Sequence, residues 1–75
     1  MPRSKTLERK VQRILKNIDD YEAKCHSGDL TLSQLSDQIG WLWKFRHISE
    51  AEMHSMCHRM TALFELAKGG YIEYM

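Results

Sequence analysis

Residues 30–53 read LTLSQLSDQIGWLWKFRHISEAEM, and two short signals inside this stretch decide the architecture. Thr31-Leu32-Ser33-Gln34 and Ser49-Glu50-Ala51-Glu52 each place a hydroxyl three residues before a Gln or Glu. At that spacing the hydroxyl accepts from the backbone N–H of the third helical residue, whose own side chain reaches back to the cap. Apolar residues bracket both signals, Leu30 with Leu35 and Ile48 with Met53, as a hydrophobic staple requires. Two helices therefore start here, and the joint between them falls at 46–49.

Working toward the N-terminus, Leu7, Val11, Ile14, Ile18, Tyr21 and Cys25 alternate four and three apart, a heptad seam widened by Leu15. Ser4 or Thr6 caps its start and Ser27-Gly28 ends it. Toward the C-terminus, Met53, Met56, Cys57, Met60, Leu63, Phe64 and Ala67 form one stripe, which stops at Lys68-Gly69-Gly70. The tail, 71–75, is short and apolar. The spacing predicts an all-α three-helix bundle in a single domain, 1–75, with helices over about 5–26, 32–46 and 50–68. A first helix rising about 1.5 Å per residue outreaches its neighbours, and its surplus heptad surface predicts a homodimer.

Composition agrees with a small globular chain. At 75 residues, 43% hydrophobic and 28% charged, it is too apolar for disorder and too interrupted by charge for a membrane span. Folding at this size buries only about 60% of the unfolded chain's surface. The start, MPRSKTLERK, is basic but leads into no apolar run, so the expected location is the cytoplasm. Cys25 and Cys57 are then expected to be reduced and buried as small hydrophobes.

The net charge of +1 conceals a division. Residues 1–18 hold six Lys or Arg against Glu8 alone, whereas residues 19–75 hold five against nine Asp or Glu. Arg9, Lys10, Arg13 and Lys16 on the first helix are the candidates for contact with phosphate or with an acidic partner.

Side chains that could do chemistry are few. His54 and His58 share a helix face, and Cys25 with His26 is the only conceivable second half of a metal site. No CxxC or HExxH spacing supports one, so no metal and no cofactor is expected. Asp19 and Asp20 diverge by about 100 degrees on a helix and cannot act as a carboxylate dyad. No catalytic residue emerges, and the expected class is non-enzymatic.

Recognition is a better prospect. Leu42 continues the Leu32, Leu35, Ile39 stripe and Trp43 widens it, whereas Trp41 and Phe45 lie on a neighbouring face. All four large groups cannot enter one small core. Trp41, Trp43, Phe45 and Arg46 are therefore the candidate partner-binding residues, of the types enriched at binding hot spots. Gly40 in mid-helix costs about 1 kcal/mol relative to Ala, which predicts that another helix or a partner backbone approaches closely there.

Two resemblances bear on the partner. LTLSQLSDQIGW resembles the first half of a helix-turn-helix, with Gly40 at the turn glycine, which implies a DNA-binding regulator that grips phosphates through the basic first helix. The next residues, WLWKFRHI, depart from that family: aromatic rings would face the groove, and Arg46 stands where a buried aliphatic belongs. The block from Leu30 to Met53 also resembles one in small tailed-phage accessory proteins, of the form LxLSxxxxxIxWLWKFxxISxxEM. That resemblance implies a protein that docks stoichiometrically on a host or phage protein and inhibits or redirects it, as anti-defence proteins such as anti-CRISPRs do.

Overall fold

A computed structural model of the chain describes residues 3–72. Three α-helices follow one another: α1, Lys5–Lys24; α2, Leu32–Lys44; and α3, Glu50–Lys68. Ser4 caps α1 by accepting from the Leu7 N–H at 3.2 Å. Both capping boxes form in full. Thr31 accepts from Gln34 N–H at 3.1 Å while Gln34 accepts from Thr31 N–H at 2.9 Å, and Ser49 and Glu52 repeat the exchange at 3.1 and 2.8 Å.

The core is one cluster drawn from all three helices. Val11, Ile14, Ile18 and Tyr21 of α1 meet Leu32, Leu35, Ile39 and Leu42 of α2 and Met56, Met60 and Leu63 of α3. Leu30, Ile48 and Ile72 close its ends. The tail thus folds back at Ile72, with the Tyr71 ring lying over Gly69; residues 73–75 lie outside the described residues. The α1 seam from Val11 to Tyr21 is buried within one chain, and Leu7 and Leu15 pack half-buried against the same core.

Two helix ends depart from expectation in the same way, while α3 ends at Lys68 as expected. α1 and α2 stop two residues before the expected 26 and 46 because Cys25 and Arg46 adopt left-handed backbone, with φ of 59° and 57°. Such a conformation costs a non-glycine residue roughly 1–2 kcal/mol, so sequence rules look for Gly there. At Arg46 the full Schellman pattern forms: Arg46 N–H donates to Trp43 O at 3.0 Å and His47 N–H to Leu42 O at 2.8 Å. Gly70 makes the same turn after α3.

Both cysteines are exposed, contrary to the expectation of burial. The chain leaves its helical path at Cys25, so the seam ends with Tyr21. Cys57 lies about 100 degrees round α3 from the buried Met56 and sits at the lip of a groove instead. Gly40 departs from expectation in one respect: a Cβ placed on it meets nothing within 4 Å, so no other helix among the described residues approaches it closely.

A polar staple holds the α1–α2 loop. Asn17 is only 2% exposed, and its amide donates to Arg13 O and Asp29 Oδ2, both at 2.9 Å. Its carbonyl oxygen accepts from the Leu30 N–H at 2.9 Å and from the Ser27 hydroxyl. Tyr21 adds a bond from its hydroxyl to Leu30 O at 2.8 Å. These contacts turn the chain back so that α2 lies against α1.

Candidate functional site

The four aromatic-segment candidates divide between the two sides of α2. Trp41 and Phe45, four residues apart, remain 44% and 53% exposed, with ring centroids 5.2 Å apart and planes tilted by 55°. Left-handed Arg46 swings the chain so that the His47 ring returns to them, 5.2 Å from Trp41 and 6.1 Å from Phe45. Cations flank this cluster. Lys10 Nζ stands 5.2 Å from the Trp41 centroid and Lys44 Nζ 5.6 Å from that of Phe45, both within cation–π range.

Trp43 and Arg46 belong to the other side. Trp43 is half-buried against the core, and the Arg46 guanidinium carbon stacks 3.9 Å from its ring centroid while Nη1 donates to Trp43 O. Arg46 therefore seals the end of α2. Trp43 overlooks a shallow groove of about 290 Å³ between α2 and α3, edged by Gly40, Cys57 and Phe64.

The basic candidates of α1 also separate. Arg13 is held by Asp29 through two parallel bonds, Nε to Oδ2 at 2.7 Å and a second from Nη2 to Oδ1. Its guanidinium, with the Asn17 amide, keeps the Asp29 carboxyl well below the usual carboxylate range. Arg9, Lys10 and Lys16, together with Lys5, form no ion pair among the described residues. Lys10 and Arg13 also line a groove of about 500 Å³ between α1 and α2, floored by Ile14 and Leu42 and walled by Trp41.

The metal candidates do not converge. His54 is exposed and lies 3.4 Å from Glu50 Oε1, its neighbour one turn earlier, and His26, His58 and Cys25 are exposed as well. Among the described residues no three His, Cys, Asp or Glu side chains gather as a ligand set. Every buried side-chain nitrogen and oxygen among them has a hydrogen-bond partner. The surface presents rings, cations and apolar grooves.

Sequence reasoning missed His47 as a third ring and Lys10 as the cation over Trp41. Lys10, one residue before Val11 and four before Ile14, could have been placed on the flank of the seam. His47 carried no such signal, because its position depends on a left-handed arginine. No helix among the described residues is long and apolar enough to cross a membrane. No protein-family model, curated protein or solved structure matches the chain.

Proposed function

We propose that this chain is a non-enzymatic protein-binding module. It docks stoichiometrically on a host or phage protein, as the small phage proteins resembled by residues 30–53 do. One observation carries the reading: Trp41, Phe45 and His47 form a contiguous aromatic patch held outside the core. Fully burying a large apolar side chain stabilises a fold by about 1.5–3 kcal/mol, and a 75-residue bundle has little stability to forgo. Exposed apolar residues scattered singly are ordinary, whereas a cluster rimmed by Lys10 and Lys44 is the pattern of an interface. The DNA-binding alternative has weaker support, since Asp29 already occupies the Arg13 fork that would grip a phosphate.

The test is the double variant Trp41→Ala/Phe45→Ala in affinity capture from bacterial lysate. The tagged parent chain is expected to retain one protein in near-equimolar amount, and the double variant to retain it at least about tenfold less, as loss of a hot spot implies. Far-UV circular dichroism should match between the two, because both side chains project from the bundle. Equal retention by the two chains would remove the patch as the docking surface.

A further inference from the structure

We infer that the groove between α1 and α2 receives an acidic amphipathic helix of the partner protein; this rests on the docking role of Trp41 and names what is docked. Ile14 and Leu42, each 1% exposed, close the bottom of the groove, and Trp41, 44% exposed, supplies its accessible apolar surface along one wall. An occupant must bring apolar side chains to that ring. At helical spacing, residues i and i+4 of a partner helix do so while their neighbours reach the groove's edges.

The edges specify charge. On the adjoining face of α1, Glu8 is taken by Arg3 at 2.8 Å and Asp29 by Arg13, so both carboxylates there are neutralised from within. Lys10 at the groove and Lys5, Arg9 and Lys16 on the adjoining face are left without an ion pair among the described residues, and Asp37 is the one groove-lining acid. These four cations span about 17 Å of helix, the length of about three turns of a partner helix. A helix with carboxylates flanking an apolar stripe matches both features.

A nucleic acid fits less well. Single strands need ring faces on which successive bases stack, and Trp41 and Phe45 are tilted by 55°. Asp37 repels phosphate at the wall, and the aliphatic floor has nothing to pair with a base edge.

The experiment is fluorescence anisotropy of the whole chain with labelled probes: a helix-forming peptide of about 16 residues with Glu flanking a Leu stripe, the same peptide with Gln for Glu, and a single-stranded oligothymidylate. The acidic peptide is expected to bind at least about tenfold more tightly than the Gln peptide, with affinity falling as salt rises. The variant Arg9→Glu/Lys10→Glu/Lys16→Glu should lose that preference, and Asp37→Asn should strengthen it. All four substituted positions are on the surface, and matching circular dichroism establishes that the fold persists. Equal binding of the two peptides, no binding of the acidic one, or tighter binding of the oligonucleotide would overturn the inference. The same triple variant, carried through lysate capture, separates the two readings. Capture that survives charge reversal but fails in Trp41→Ala/Phe45→Ala leaves the docking surface standing and eliminates the acidic helix.

Discussion

Four hydrogen bonds converge on the side-chain amide of Asn17 and tie α1 to the loop that follows it. Replacing Asn17 with Ala leaves the buried Leu30 N–H without its acceptor and removes one of the donors that hold Asp29. An orphaned buried donor together with the lost bonds costs about 2–3 kcal/mol. For a domain of this size that corresponds to a fall in Tm of about 15 °C, measurable by thermal circular dichroism. Leucine at the same position should do no better, because it fills the volume without satisfying the N–H. Sequence patterning could not identify this residue. Asn17 sits beside Ile18 on the core face, where periodicity records an interruption, and its partners at 27, 29 and 30 are fixed only by how the loop closes. Trp41 and Phe45 were legible for the converse reason, since the capacity of a small core is countable and their helical phase places them off its face.

All three helix starts and the Gly-signalled end of α3 were readable to the residue, whereas the ends of α1 and α2 were not. The reason is chemical: a capping box is a two-sided hydrogen-bond exchange between fixed residue types, while a left-handed cap needs only a tolerated φ. Cys25 and Arg46 accept that φ where Gly was the expected signal, and each ends its helix two residues early. Gly40 teaches a related lesson within α2, because a mid-helix glycine was taken as the mark of a close approach and the fold shows open space above it. Nothing in the bundle requires its missing side chain. Gly40→Ala should therefore stabilise the chain by about 1 kcal/mol through helix propensity. This would be seen as a higher urea midpoint with an unchanged slope. A lower midpoint would mean that the α2–α3 groove closes more tightly over Gly40 than the fold indicates.

Across the whole molecule, three arginines tie α1 and its approach to the remaining elements. Arg3 bridges Glu8 and Glu52, Arg13 holds Asp29 of the first loop, and Arg59 of α3 reaches back to Asp19 and Glu22. None of these pairings was legible, since each joins residues whose proximity is decided by the packing of the helices rather than by their spacing. Their consequence is a pH dependence whose sign follows from the carboxylates. Arg3 lowers the Glu8 and Glu52 pKa values, Arg59 lowers that of Glu22, and Arg13 lowers that of Asp29. A carboxyl whose pKa is depressed on folding contributes stability above its unfolded value, near 4, and loses that contribution as pH falls toward the folded value. The urea midpoint should thus hold level from about pH 7 to 5 and decline below about pH 4, where the unfolded chain takes up protons that the clamped carboxylates resist. All these groups lie at or near the surface, so raised salt should flatten the decline. Arg59→Gln removes one clamp and should lower the stability read from the midpoint at neutral pH by the same modest amount, below about 1 kcal/mol, by which it makes the acid limb shallower. An acid limb identical in Arg59→Gln and the parent would show that the α1–α3 clamp plays no part in acid unfolding.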